Sequence, residues 1–277
     1  YGGRQLGKTA LLERAMHLDH NPARREFAIK ADFKGHRGEQ DFLDILVSAC
    51  NDVFEKNDFK LNRCATIRDF CSQIRRLLDN DRIAILRLLL DETDDFLDSI
   101  SASSYNEILP LIELQRGSNR RFKFVLAGLH NVCRAKNATR NNVLFGQLGE
   151  PLCVKPLTAA DAQRLLVRPL RYLGFRVSNE SHVDTILTNT NYYPGIIQFF
   201  GYTLVQTLVT HYTQYYDAVR GNPPFDLHDD QLASIMNSRD LNRNIKDRLR
   251  WTLEMDDRYY MLARCITVLY HLYSNNY

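Results

Sequence analysis

Residues 2 to 9 read Gly-Gly-Arg-Gln-Leu-Gly-Lys-Thr, the pattern G-x-x-x-x-G-K-[ST]. No other stretch restricts the fold as strongly. Such a loop joins a buried parallel strand to a helix, and its backbone N–H groups wrap the α- and β-phosphates of a nucleotide. The sequence therefore offers Gly2, Gly3, Arg4, Gln5, Leu6, Gly7, Lys8, Thr9 and Ala10 as the phosphate-binding set. Gly7 permits close approach, Lys8 reaches the β- and γ-phosphates, and the Thr9 hydroxyl ligates Mg²⁺. A helix starting near Lys8 turns the positive end of its dipole toward the anion. Leu11, Leu12 and Met16 recur at the spacing such a helix needs. Only Tyr1 precedes the loop, and one residue cannot be a strand, so the 277 residues are expected to be a piece of a longer protein.

The second informative stretch is "DRIAILRLLLDETDDFL", residues 81 to 97. Ile83 to Leu90 is an apolar run broken only by Arg87, of the length of a strand buried in a parallel sheet. It ends in Asp91-Glu92, and carboxylates just past the carboxyl end of a central strand lie where open α/β sheets bind ligands. Asp91 is the candidate Mg²⁺ ligand and Glu92 the residue that orients or activates the attacking water. Lys8 and Glu92 are thus the candidate catalytic pair, and Thr9 and Asp91 the candidate metal ligands. Asp94 and Asp95 read as stabilising acids in the first turn of a helix. The guanine-reading N-K-x-D and T-K-x-D are absent, which makes ATP the expected nucleotide.

Composition excludes several classes. At 44% hydrophobic and 25% charged residues the chain is neither disordered nor fibrous. A net charge of +3 gives no argument for nucleic acid. The six cysteines show no C-x-x-C pairing and no histidines at zinc spacing, so they read as reduced thiols of a cytoplasmic protein. No apolar run has the length of a membrane span.

Strand and helix patterns alternate through the first half. Residues 25–35, 83–90, 120–132 and 150–157 read as strands, and 39–56, 66–79 and 105–116 as helices. With the strand expected before the loop, this makes a five-stranded parallel core with helices on both faces. After Leu157 the chain reads as helices only, at 159–173, 180–189, 194–214, 228–236, 239–254 and 257–273. Thr158 is the expected N-cap of the first, with Asp161 three residues on. The expected domains are an α/β nucleotide-binding core (1–157), an all-α lid (158–237) and a helical segment (238–277).

Taken in order, "GGRQLGKTALL", "LLLDETDDFL", "FVLAGLHNV", "VKPLTAADAQRLLVRPLRYLGF" and "TNYYPGIIQFFGYTL" resemble the bacterial STAND-type P-loop NTPases, within the broader AAA+ and origin-recognition-like ATPases. The resemblance covers nearly the whole length. It implies a sensor for the γ-phosphate at His130 or Asn131, and it implies that Pro194 packs on adenine. Asn191-Tyr192-Tyr193 stands where relatives carry a glycine. It also implies that residues 238–277 begin a winged-helix module, and that the protein is an ATP-driven switch for signalling or anti-phage defence. Sensor and effector domains would then lie outside this stretch, and activation would bring homo-oligomerisation. The alternatives are a DNA-binding replication-initiator-like ATPase and a nucleotide-holding scaffold that does not hydrolyse. No arginine finger is assigned among Arg116, Arg120 and Arg121.

Overall fold

The computed structural model describes residues 1–277 other than 4, 130, 139–148, 178, 216–222, 255–256 and 275–277. The chain divides into two compact units, residues 1–3 with 7–155 and residues 4–6 with 156–277.

In the first unit, β1 (Glu26–Asp32), β2 (Ile85–Asp91) and β3 (Phe122–Leu126) form a parallel sheet in that order. The register sets Asp32 beside Asp91 and Leu90 beside Leu126, so the carboxyl ends of the three strands lie along one edge. Parallel neighbours need crossovers. These are α2 (Gly38–Phe54) with α3 (Ile67–Asp79), and then α4 (Asp94–Ser99) with α5 (Leu109–Gly117). The helix α1 (Lys8–Asp19) follows the glycine loop, and α6 (Asn131–Ala138) follows β3. α3 starts on a capping box in which Thr66 and Asp69 each accept from the other's backbone N–H.

Period-two alternation decides which strand residue does what. Phe27, Ile29, Leu86, Leu88 and Leu90 enter the main core with residues of α2, α3 and α5. That core includes a stack of Phe33, Phe42 and Phe96, with centroids 4.5 and 4.1 Å apart. On the opposite face Leu89 packs with Leu12 of α1 and Ala127. Arg87 shares that face and bonds Asp19 at 3.3 Å and Glu26 at 3.6 Å, which accounts for a charge inside an apolar run.

Residues 150–157 are not a strand, so of the four strands expected within these residues the described sheet holds three. A strand needs a hydrogen-bonded neighbour along its length, and here Tyr1 provides a single rung, through Tyr1 N to Leu152 O at 2.7 Å and Val154 N to Tyr1 O at 2.7 Å.

The second unit holds α7 (Ala159–Tyr172), α8 (Glu180–Asn189), α9 (Pro194–Tyr215), α10 (Asp229–Met236), α11 (Arg239–Leu253) and α12 (Asp257–Ser274). Thr158 caps α7 by accepting from Asp161 N. Leu166, Ile186, Ile197, Phe200 and Leu204 form the centre of its core. Helices are not its only elements: β4 (Phe175–Arg176) pairs in parallel with β5 (Phe225–Asp226). The Arg176 guanidinium makes two 2.6 Å bonds to the Asp226 carboxylate across that pair. No described helix is long and apolar enough to cross a membrane.

Candidate functional site

The acid end of β2 shares the α1 face, because Arg87, Leu89 and Asp91 alternate with the core leucines. Asp91 is 1% exposed. Its Oδ1 accepts from Glu92 N at 3.1 Å, and its Oδ2 lies 4.0 Å from Lys30 Nζ, which also bonds Glu13 on α1 at 2.9 Å. Glu92 sits on left-handed backbone at φ 52°. Burial pushes its carboxyl above the ordinary range; Lys8 opposes that shift, and Asp91, Asp94 and Asp32 reinforce it. Lys8 and Glu92 therefore act on one another electrostatically near the carboxyl edge of the sheet.

Lys8 opens α1 and is 7% exposed, with Nζ donating to Gly2 O at 3.1 Å and to Gly3 O at 3.0 Å. Gln5 at φ 61° and Gly7 at φ 90° are both left-handed. Only at Gly7 is that conformation free of steric cost. Turns of this kind leave successive N–H groups pointing into one concavity, which suits an anion. The α1 N-terminus has no side-chain cap, and no acid lies in its first turn. Thr9 and Ala10 are exposed, and Leu6 is buried. Arg4 lies outside the described residues.

The loop after β3 is stitched to the residues after the acid pair. Thr93, fully buried, donates from N at 3.0 Å and from Oγ1 at 3.1 Å to Ala127 O. Asp94 accepts from Leu129 N at 2.6 Å and from Asn131 N at 3.1 Å, and Asn131 Nδ2 returns a bond to Asp94 O at 3.1 Å. A Cβ on Gly128 would stand 2.5 Å from Asp94 Oδ2, so this approach requires glycine. Asp94 thus does more than favour a helix start: it fixes the position of Asn131. The sequence offered no signal for it beyond an acid two residues past Glu92. His130 lies outside the described residues. Arg121 is engaged at the other end of β3, by Asp79 at 3.7 Å and Asp81 at 3.3 Å.

In the second unit Pro194 is the first residue of α9, where its fixed φ suits a helix start. Asn191 at φ 47° and Tyr192 at φ 58° adopt the left-handed backbone that a glycine would take without strain. Gly195 N donates to Gln5 O at 3.1 Å, and a Cβ on Gly195 would stand 2.5 Å from Gln5 Cβ. The start of α9 is thereby held against the middle of the glycine loop, within the unit that contains both.

No protein-family profile and no curated protein sequence matches the chain. Solved structures do. A Walker-type ATPase of Pyrococcus abyssi superposes with a TM-score of 0.58 at 18% identity, over 74% of this chain and 61% of its own. The ORC2 protein of Aeropyrum pernix superposes with TM-scores of 0.56 in its ADP form and 0.59 in its ADPNP–ADP complexes, at 16% identity, over 85% of this chain and 60% of its own. This chain therefore spans about 60% of the length of the structures it matches. At these identities the likeness concerns the fold alone, an α/β P-loop NTPase fold with a parallel sheet.

Proposed function

We propose that this chain is the nucleotide-binding part of an ATP-driven switch of STAND type, belonging to a larger signalling or anti-phage defence protein of the cytoplasm. The observation that supports it is a buried Lys8 within electrostatic reach of Glu92, the residue that follows buried Asp91 at the carboxyl edge of one parallel sheet. Residues 2–10 would enclose the phosphates, with Lys8 on the β- and γ-phosphates. Thr9 and Asp91 would hold Mg²⁺. Among the described residues no three His, Cys, Asp or Glu side chains gather as a metal cage. That suits Mg²⁺, which takes one or two protein oxygens and completes its shell with phosphate and water. Glu92 would orient the attacking water, His130 or Asn131 would sense the γ-phosphate, and Pro194 would pack on adenine. In this reading residues 1–157 are the core, 158–237 the lid and 238–277 the start of a winged-helix module. Loss of the γ-phosphate would remove a group bridging the loop, the acids and the Asn131 segment, and so would bias the lid. Homo-oligomerisation on ATP binding belongs to the same proposal.

The test is titration of the 277-residue protein with a fluorescent ATP analogue and Mg²⁺, alongside Lys8→Ala and Glu92→Gln. Lys8→Ala removes a charge-assisted contact and should weaken binding about 10- to 150-fold, from about 1.5–3 kcal/mol per such bond. Glu92→Gln should bind normally and lose turnover. Unchanged affinity in Lys8→Ala refutes the site. Equal, negligible turnover in wild type and Glu92→Gln turns the reading into a nucleotide-holding scaffold, and tight binding of duplex DNA turns it into the initiator-like one.

A further inference from the structure

Asp91 is 1% exposed, yet its two carboxylate oxygens are served unequally. Oδ1 accepts from Glu92 N at 3.1 Å. Oδ2 accepts no hydrogen bond among the described residues, and the cation beside it, Lys30 Nζ, stands 4.0 Å away. That is an ion-pair separation, too long for a hydrogen bond. A buried carboxylate with an unbonded oxygen is costly unless a cation faces it. Oδ2 is thus the oxygen left open to a further cation.

Strand alternation explains why Lys30 is there. Phe27, Ile29 and Ala31 of β1 enter the main core, so Ala28, Lys30 and Asp32 turn to the α1 face, which Asp91 shares. The register sets Lys30 beside Leu89 and Asp32 beside Asp91. The Lys30 side chain is 19% exposed, and its ammonium bonds Glu13 Oε1 at 2.9 Å. Glu13 follows Thr9 by four residues on α1, so the two share one face of that helix. The Glu13–Lys30 pair therefore lies one helical turn from Thr9 and next to Asp91, the two residues assigned to the metal.

Given the Mg²⁺ site of the proposed function, we propose that Lys30 is the resident counter-cation of Asp91, and that Glu13 holds its ammonium back so that Oδ2 stays available to the metal. Lys30 is a positioning residue in this role and not a metal ligand. Its charge offsets the cost of burying Asp91 and opposes an arriving cation by like-charge repulsion. Glu13 draws the ammonium aside and neutralises part of that charge. The two residues therefore act on metal affinity with opposite signs, and Glu13 acts only through Lys30. Groups around a ligating carboxylate shift metal affinity about 10- to 100-fold. Glu13 is half exposed, so solvent and salt screening reduces its share.

The experiment measures the affinity of a fluorescent, non-hydrolysable ATP analogue in Mg²⁺ and in EDTA. It compares the 277-residue protein with Lys30→Met, Glu13→Gln and the double variant. The ratio of the two affinities isolates the contribution of the metal. Lys30→Met should raise this ratio about tenfold, and Glu13→Gln should lower it about threefold. The double variant should match Lys30→Met. Looser packing alone would move both affinities together and leave the ratio unchanged. Equal ratios in all four proteins, or a lower ratio in Lys30→Met, overturn the role of Lys30 and leave the Mg²⁺ site standing. A wild-type ratio near one removes the Mg²⁺ site itself, and the role of Lys30 with it. If Lys30→Met does not fold, Lys30→Gln removes the same charge and gives the same reading.

Discussion

Removal of the Asp94 carboxylate gives a direct measure of how the acid end of β2 is tied to the loop after β3. Asp94 accepts from Leu129 N at 2.6 Å and Asn131 N at 3.1 Å. Leu129 is buried and Asn131 half-buried, so Asp94→Ala leaves one donor without water and the other partly hydrated. Hydrogen bonds to a charged group contribute about 1.5–3 kcal/mol each, and the hydrated donor recovers part of its loss, giving an expected cost of about 2–4 kcal/mol. Gly128→Ala should cost about 1–3 kcal/mol by overpacking, because its Cβ would meet Asp94 Oδ2 at 2.5 Å. The double variant removes the clash along with the carboxylate, so the two costs should fall short of their sum by about 1 kcal/mol or more. The only tryptophan, Trp251, lies in the second unit, so its fluorescence is the wrong probe. Native-state amide exchange in β2 and β3, with Leu129 and Asn131 followed individually, reports the first unit directly. A loss under about 0.5 kcal/mol for Asp94→Ala, or additivity within about 0.3 kcal/mol, refutes the coupling.

Glu92 carries a pH signature. Its folded pKa is raised by burial above the ordinary 4.5, so the native state holds the proton more tightly and loses stability as pH climbs from 4.5 through the folded value. Glu92→Gln without nucleotide should therefore unfold at a higher temperature than wild type at pH 7, with the gap closing below about pH 4; a gap independent of pH contradicts this. The cysteines should divide by burial. Cys153 and Cys265 are exposed, while burial raises the Cys50 thiol and pushes that of Cys71 up to about 12. An aromatic disulfide at pH 8 should label the exposed pair in the native protein and reach Cys50 and Cys71 only on unfolding. Rapid labelling of Cys50 in native protein argues against the packing of α2.

The elements legible in the sequence were those written in local pattern. Ile83 to Leu90 announced a buried strand, observed as Ile85–Asp91, because an apolar run and its terminal acids are contiguous. The starts of α7 and α9 were marked by Thr158 and Pro194 for the same reason. What depended on partners distant in sequence was not legible. Asp94 read as a helix-start acid, since its donors stand 35 and 37 residues away. Residues 150–157 have strand composition, yet a ladder requires a neighbour along their whole length, and Tyr1 supplies one rung. Arg87 looked out of place until α1 brought Asp19 to it. Asn191 and Tyr192 take a left-handed turn that glycine would adopt without strain, at a steric cost of about 1–3 kcal/mol per strained residue that the surrounding fold must offset.

Lys8 already has two acceptors in its own loop. Under the proposed function, a polyphosphate would compete with the Gly2 and Gly3 carbonyls for the ammonium's donors, so its capture would be at least partly an exchange of partners and would release less heat than binding to a bare cation. Any carbonyl given up would have to find water or turn aside, which would make the loop itself a reporter: amide I bands from these two peptide groups should shift as the lysine changes partners.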